Sequence, residues 1–166
     1  TVTVTDSNGN SANCTTDLTV SDSCSAGGPY SAECQNGTGT VVLDGTGSSD
    51  PGGGSLTYAW ASDCPGASFD DASSVSPTLT VTVTPGSLPV LCTATLTITT
   101  TGGQQDVCSA DVSIVETIPP TVTCPSGTTV SADASCQATI PDVTSGVTAS
   151  DNYTSVEALV ITQAPT

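Results

Sequence analysis

The sequence predicts an all-β protein built from small β-sandwiches. Short runs alternate Thr or Ser with Val, Leu or Ile, and Gly and Pro separate the runs. Alternation with a period of two is typical of strands that bury one face. No stretch shows the helical period, and turn residues at this spacing favour two packed antiparallel sheets.

The chain opens with a predicted hairpin. Residues 1–5 alternate β-branched side chains, residues 6–10 hold an Asn-Gly turn, and a second strand runs through Cys14 to Val20. A lone hairpin is only marginally stable in water. We therefore expect this hairpin to join a sheet at the other end of the chain or in a neighbouring chain.

Six further strands are predicted after the linker at 21–29. Tyr58 and Trp60 share one face of the third of these, and a long Gly-rich turn precedes that strand. In the fifth, Cys92, Ala94, Leu96 and Ile98 share a face. The six predicted strands are residues 30–34, 38–43, 56–61, 78–84, 91–99 and 107–115.

The charge balance excludes several functions. The chain has no Lys, Arg or His against 16 Asp and Glu, a net charge of −16. Nothing can neutralise phosphate, so we expect no nucleic-acid partner and no docking on an anionic membrane. No stretch is long and apolar enough for membrane insertion. Each carboxylate must be solvated, hydrogen-bonded or bound to a cation.

The same composition argues against an enzyme. Without His or Lys, the usual bases and Schiff-base chemistry are missing. A pair of aspartates is the remaining option, and nothing near Asp70 and Asp71 supports such a dyad. We predict no catalytic residues.

The eight cysteines indicate an extracellular or cell-surface location. Aromatic residues are few, so the core must be aliphatic and thin, and disulfides would compensate for this. There is no CxxC pair and no His, which makes a zinc site improbable. The chain lacks a recognisable signal peptide, so we expect a mature product or a segment of something longer.

The middle of the chain resembles the PKD-like immunoglobulin-type domains of bacterial surface proteins. The resemblance lies in residues 26–30 (AGGPY), 42–51 (VLDGTGSSDP) and 56–60 (LTYAW). It implies a seven-stranded sandwich over residues 23–116, with Trp60 buried on a central strand.

The remaining residues resemble two parts of a hyalin-repeat (HYR) domain in permuted order. After the Pro-Pro boundary, residues 121–125 (TVTCP), 130–136 (VSADASC) and 148–152 (TASDN) look like its first half. That family's domain ends with a hairpin like the one at the start of this chain. Tyr153 stands where the family usually has Cys. The predicted division is therefore residues 1–22, 23–116 and 117–166.

This permutation predicts immunoglobulin-like sandwiches in tandem, one of them completed by a terminal hairpin. The hairpin could fold back within its own chain, complete a neighbouring subunit head to tail, or belong to one period of a longer array. We favour copies of the chain, or adjacent repeats, joined in a fibre.

Disulfide pairing follows from the same resemblance. Four cysteines of the middle domain allow three connectivities. Cys64 follows the Trp60 strand, and Cys92 lies on a strand expected to be its neighbour. Cys34 and Cys108 lie on the first and last strands, which commonly lie side by side in such sandwiches. We predict Cys64–Cys92 and Cys34–Cys108. For the other four, Cys14 could bond to Cys124 or Cys136 across a junction, or Cys124 could pair locally with Cys136; Cys24 stays unassigned.

Calcium is the one cofactor that the sequence leaves open. Asp44 and Asp50 bracket the Gly-rich loop and could hold calcium, or could cap turns. Asp6, Asn8, Asn10 and Asp17 have the spacing of an EF-hand loop, but the flanks are strands and a plain hairpin turn is favoured.

Three sequons could carry glycan in a secreted chain, namely those at Asn13, Asn36 and Asn152. O-linked sugar on Thr or Ser is as plausible. From all of this we expect a structural protein of a surface filament or matrix fibre. The alternative is a surface adhesion or carbohydrate- or protein-binding module.

Overall fold

The computed structural model describes residues 1–17 and 20–164. The predicted all-β class is confirmed, since these residues form strands and two single-turn 3₁₀ helices at Thr144–Gly146 and Val156–Ala158. None of the helices described is long and apolar enough to cross a membrane. The strands are β1 Val2–Thr5, β2 Ser11–Cys14, β3 Tyr30–Glu33, β4 Thr38–Val42, β5 Leu56–Ser62, β6 Ser68–Phe69, β7 Thr78–Thr82, β8 Val90–Thr100, β9 Gln105–Val115, β10 Thr121–Thr123 and β11 Thr148–Ser150.

Strands β3 to β9 form a two-sheet sandwich. One sheet has the order β3-β9-β8-β5 and the other β4-β7-β6. The longest ladder joins β8 to β9 antiparallel, from Val90↔Ile114 to Thr99↔Gln105. Strand β3 instead runs parallel to β9. This division of the seven strands between two sheets is the immunoglobulin arrangement, with the first strand beside the last.

A single aliphatic core lies between the two sheets. Leu79 and Val81 of one sheet pack with Leu96, Ile98 and Ile114 of the other. All five are completely buried, as the alternation of each strand requires.

The sheets approach closely at Gly39. A methyl group there would lie 2.5 Å from Cγ2 of Ile114, so a larger residue at this position would force the sheets apart.

Trp60 is buried, but its strand lies at a sheet edge. It is 5% exposed, and its indole N–H donates to the Ser74 carbonyl at 3.1 Å. Strand β5 pairs only with β8, so the expected central position is wrong. On the other side of β5, the backbone N–H of Trp60 donates to the Ala72 carbonyl at 2.9 Å. The loop between β6 and β7, which contains Ala72, therefore covers this edge of the strand.

The N-terminal hairpin is present and fully exposed. Strands β1 and β2 pair from Val2↔Cys14 to Thr5↔Ser11. Every residue from 1 to 17 is exposed. Strand β2 ends at Cys14, so the strand predicted to reach Val20 is shorter; Leu18 and Thr19 lie outside the described residues.

The C-terminal part, which comprises residues 117–164, has little regular structure. Strands β10 and β11 pair from Thr121↔Ser150 to Thr123↔Thr148. None of residues 117–164 is fully buried. The fully buried residues of the core therefore come from the middle of the chain, and Tyr153 of the C-terminal part packs against them.

Two disulfides link the sandwich. Cys64–Cys92 joins β8 to the end of β5, as predicted. The second bond is Cys24–Cys108, and it replaces the predicted Cys34–Cys108. Cys34 is buried without a disulfide, and Cys14, Cys124 and Cys136 are exposed and free, so the local Cys124–Cys136 pair is not formed.

The parallel register of β3 explains the correction. Tyr30 faces Val112 and Glu33 faces Val115, so Cys34 lies beyond the far end of β9. Cys108 lies near the start of β9, beside the segment that precedes β3. There the Cys24 N–H donates to Asp106 Oδ2 at 3.0 Å. The sequence correctly predicts that β3 and β9 are neighbours, but it does not show that they run parallel.

Removal of the Cys24–Cys108 bond should weaken the sandwich far more than loss of Cys34. We expect the Cys24→Ser, Cys108→Ser double variant to lose about 2–5 kcal/mol of unfolding free energy. Cys34→Ala removes one small buried group and should cost about 1 kcal/mol. Urea unfolding without reductant measures both. An equal loss in both variants, with a Cys34–Cys108 peptide found by mass spectrometry, would contradict the assignment.

Candidate functional site

The C-terminal part carries an open apolar groove. Its volume is about 480 Å³. Gln163 holds two segments of the lining together. Its Oε1 accepts from the Val143 N–H at 2.9 Å, and its Nε2 donates to the Pro141 carbonyl at 3.1 Å. In a complete sandwich a facing sheet would cover such a surface. The apolar and thiol-bearing lining includes Cys124, Pro125, Ile140, Val143, Val147 and Ile161.

The hairpin presents the complementary kind of surface. Val2 and Val4 alternate along β1 and are 56% and 69% exposed. The Thr5 and Ser11 hydroxyls are hydrogen-bonded across the pair at 2.8 Å. The hairpin is therefore a formed two-stranded ribbon with an unburied apolar face.

Asp6 organises the turn of this hairpin. Its Oδ1 accepts from the Asn8 and Asn10 N–H groups at 2.9 and 2.8 Å, and its Oδ2 from Asn10 Nδ2. The pKa of Asp6 is lowered, mainly by the Asn10 side chain. These bonds are those of a plain hairpin turn, with Gly9 at φ +88°.

Three exposed thiols lie on the hairpin and the C-terminal part. Cys14 ends β2 of the hairpin, and Cys124 lines the groove. Cys136 lies in a turn closed by the Asp133 N–H, which donates to the Gln137 carbonyl at 2.7 Å. The structure thus places one free thiol on the hairpin and two on the C-terminal part.

The C-terminal part is held against one end of the sandwich. Asn152 Nδ2 donates to the Cys34 carbonyl at 2.7 Å, and the Asn36 N–H donates to the Asn152 carbonyl at 2.9 Å. The Tyr153 hydroxyl donates to the Thr84 carbonyl at 3.1 Å and accepts from the Gly86 N–H at 2.8 Å.

Glu33 makes a second link at this end of the sandwich. Its carboxylate accepts from the Thr117 hydroxyl at 3.1 Å and from the Ile118 N–H at 3.2 Å. The pKa of Glu33 is lowered, first by the Thr117 N–H. No pattern in the sequence predicts these long-range contacts.

Asp44 and Asp50 each cap their own turn. Asp44 Oδ1 accepts from the Thr46 N–H and hydroxyl at 2.9 and 2.6 Å. Asp50 accepts from the N–H groups of Gly52 and Gly54. Within the described residues, neither Asp44 nor Asp50 belongs to a cluster of three ligand atoms, although Asp50 lines an open cavity with Asp22 and Asp106.

One group of three clustered ligand atoms occurs within residues 1–17 and 20–164, formed by Asp63, Cys64 and Cys92. Its two sulfur atoms are already joined in a disulfide, so they are not free to bind a metal.

Asp70 and Asp71 are also turn caps. Asp70 Oδ1 accepts from the Thr78 N–H at 2.8 Å, and Asp71 Oδ1 from the Ser73 hydroxyl at 2.6 Å. The pKa of each carboxyl is lowered by these bonds, whereas a proton-sharing dyad needs one raised pKa.

The three sequons differ in accessibility. Asn13 lies on the exposed strand β2, and Asn36 is exposed in a turn at φ 49°. Asn152 is half-buried, and its Nδ2, the atom that a glycan would occupy, donates to the Cys34 carbonyl. A glycan there would break the contact that holds the C-terminal part.

Two solved structures illustrate what the chain is similar to. The first is the solution structure of the PKD domain from KIAA 1837 protein, with 22% identity and a TM-score of 0.45 over 70% of this chain and 100% of that chain. The second is a nucleoside hydrolase-related hypothetical protein from Saccharophagus degradans that is associated with carbohydrate metabolism. It shares 26% identity at a TM-score of 0.40 over 53% of this chain, which spans only 22% of that one.

No protein-family model matches the chain, and no curated protein matches it. We draw no functional conclusion from the two structural likenesses.

Tyr153→Phe should loosen the C-terminal part. The change removes both hydrogen bonds of the hydroxyl and should cost about 1 kcal/mol per bond. Amide hydrogen exchange at Gly86, whose N–H loses its acceptor, should speed up by about tenfold. Tyr58→Phe is the matched control and should leave Gly86 unchanged. Unaltered exchange at Gly86 in Tyr153→Phe would show that the contact does not hold the segment.

Proposed function

We propose that the chain is an extracellular structural protein, a subunit or repeat of a disulfide-stabilised surface filament or matrix fibre. In this proposal the β1–β2 hairpin of one copy completes the C-terminal part of the next by β-strand addition. The sandwich of residues 23–116 is the PKD-like body of each unit. Residues 117–166 and the hairpin are the two parts of a HYR-like domain.

The observation that supports the proposal is that both terminal parts of the chain bury little of their own surface. The hairpin buries none of residues 1–17, and no residue from 117 to 164 is fully buried. A lone hairpin is marginal, and an open sheet edge promotes association. Each Val of β1 that becomes buried would contribute about 1.5–3 kcal/mol.

A second copy is the proposed occupant of the groove. The chain's own hairpin does not line that groove, although the apolar face formed by Val2 and Val4 is exposed. A hairpin at one end and a groove at the other form a heterologous interface, in which each copy offers one surface and accepts the other. Such contacts propagate into an open filament when they do not close into a ring.

The exposed thiols fit this junction. Cys14 lies on the hairpin and Cys124 in the groove, so insertion would bring two thiols to one place. Their oxidation to a disulfide passes two electrons and two protons to molecular oxygen or to a small disulfide. The cross-junction bond would then lock each joint covalently, which suits an oxidising extracellular setting.

The alternative, a carbohydrate-binding or adhesion module, draws no support from Trp60. A sugar platform needs an exposed aromatic face, and Trp60 is in the core. The net charge of −16 suits a fibre, because like charge keeps neighbouring fibres apart.

Val4→Asp should abolish filaments. It places a carboxylate on the hairpin face that becomes buried in the proposed assembly, and it leaves the sandwich unchanged. We expect electron microscopy to show filaments with a regular axial repeat for the wild-type chain and separate particles for Val4→Asp. Deletion of residues 1–20 should have the same effect.

Leu91→Asp is the matched control, since Leu91 is 73% exposed on the sandwich and outside both surfaces. It should still form filaments. Compact monomers of the wild-type chain, or normal filaments of Val4→Asp, would contradict the proposal.

A further inference from the structure

Two turns of this chain are built in the same way, although only the first of them joins two paired strands. In the first turn, the Asp6 N–H donates to the Asn10 carbonyl at 2.9 Å. In the second turn, the Asp133 N–H donates to the Gln137 carbonyl at 2.7 Å. Each aspartate carbonyl also accepts from the N–H three residues later, at 3.1 and 3.0 Å. The backbone hydrogen bonds of the second turn therefore repeat those of the first.

The side chains and the backbone angles of the two turns also match. Asp133 Oδ1 accepts from the N–H groups two and four residues later at 2.8 and 3.0 Å, as Asp6 Oδ1 does. The fourth residue of each turn has a left-handed backbone, with φ +88° at Gly9 and +61° at Cys136. A short turn that ends in one left-handed residue is a common connection between antiparallel strands. The second turn is thus a hairpin turn.

The sequence on either side of the second turn has the pattern of two paired strands. In the first hairpin, pairing begins with Thr5↔Ser11, directly outside the turn. The same register at the second turn would place Val130 opposite Ile140. The apolar face of such a ribbon would hold Val130, Ala132, Ala138 and Ile140, and its polar face Thr129, Ser131 and Thr139. Alternation with a period of two on both sides of a hairpin turn is typical of a ribbon that buries one face.

These flanks of the second turn, residues 129–132 and 138–141, are not paired. The structure describes every residue between β10 and β11 and has no strand there. Val130 and Ile140 are exposed, and a hairpin that buries no surface is only marginally stable. Cys136 adds to this, because the left-handed backbone is unfavourable for a residue that has a Cβ. The turn is therefore formed, but nothing covers the apolar face that its flanks would share.

The groove of the C-terminal part lies against this segment. Thr128 directly precedes the first flank and Ile140 belongs to the second, and both residues line the groove. Gln163 holds the end of the second flank, since its Nε2 donates to the Pro141 carbonyl at 3.1 Å. An apolar occupant of the groove would cover Ile140 and so supply buried surface that the flanks lack.

We propose that residues 129–132 and 138–141 pair as a second β-hairpin when the β1–β2 hairpin of another copy occupies the groove. The inference rests on the proposed assembly and adds that docking is coupled to the folding of the groove wall. Ordering the flanks is unfavourable on its own, so part of the free energy of docking offsets it. The affinity between copies is reduced by the fraction of chains in which the second hairpin is formed. The second turn therefore regulates how readily the copies associate.

The coupling is tested with the full-length Val4→Asp chain in reductant. This chain keeps its groove, but its own hairpin cannot dock, so a synthetic peptide of residues 1–20 can be titrated into it. Hydrogen-bonded and non-hydrogen-bonded pairs alternate along an antiparallel ladder. Counted outward from the turn, Ser131 and Thr139 would form the next hydrogen-bonded pair. Both amides should exchange freely without peptide and should slow by about tenfold or more at saturation.

Nuclear Overhauser contacts give a second measurement in the same samples. The Hα atoms of Val130 and Ile140 face each other as a non-hydrogen-bonded pair in this register, so a close contact between them should appear only with peptide.

Two variants of Cys136 test the role of the turn. Cys136→Gly and Cys136→Ala both remove the thiol, but only glycine favours the left-handed backbone. We expect Cys136→Gly to bind the peptide about fivefold more tightly than Cys136→Ala, because more of its chains hold the second hairpin before binding. Cys136→Gly should also show partly slowed exchange at Ser131 and Thr139 in the absence of peptide.

The outcomes separate this inference from the assembly on which it rests. Saturable binding that leaves the Ser131 and Thr139 amides in fast exchange would overturn the coupling and leave strand completion standing. Slow exchange of both amides in the free Val4→Asp chain would overturn it too, because the hairpin would then exist before docking. Equal affinity of the two Cys136 variants would contradict the role of the turn. Failure of the peptide to bind at all would overturn the assembly and the coupling together.

Discussion

The absence of any basic side chain constrains the rest of this structure. Sixteen carboxyl groups have no Lys, Arg or His to pair with. Most are instead satisfied by N–H and hydroxyl donors a few residues away, as at Asp6, Asp44 and Asp71. The turns of the sandwich are thus built around carboxylates, which explains why Asp stands beside Gly, Ser and Thr throughout the sequence.

The absence of basic side chains also matters where the sandwich meets the C-terminal part, because some carboxylate oxygens there have no nearby N–H or hydroxyl donor among the described residues. At the junction, Glu116 and Asp151 each keep a buried oxygen without a donor, although the chain folds to place them there. Buried polar oxygens without a donor are unfavourable, so this junction is less well compensated than the turns of the sandwich.

Alternation along the strands predicts most of the sandwich. The ladder of β8 and β9 and the burial of Leu96 and Ile98 follow from the period of two. The bond Cys64–Cys92 follows from the pairing of neighbouring strands. These features depend on local pattern and on antiparallel neighbours, both of which a sequence displays directly.

Other features could not be predicted, because they depend on direction and on distant contacts. The parallel register of β3 decides that Cys24, not Cys34, reaches Cys108. The anchoring of Asn152 and Tyr153 depends on residues far away in the chain. No local pattern encodes which backbone carbonyl a remote amide will meet.

In the proposed assembly, the hairpin of residues 1–17 completes the C-terminal part of another copy. The most direct test adds a synthetic peptide of residues 1–20 to an isotope-labelled chain that lacks them. The account predicts saturable binding, with amide shifts and slowed hydrogen exchange concentrated around Val143, Val147 and Ile161 and unchanged signals in the sandwich core. A titration that leaves these amides unperturbed at high peptide concentration would contradict strand completion.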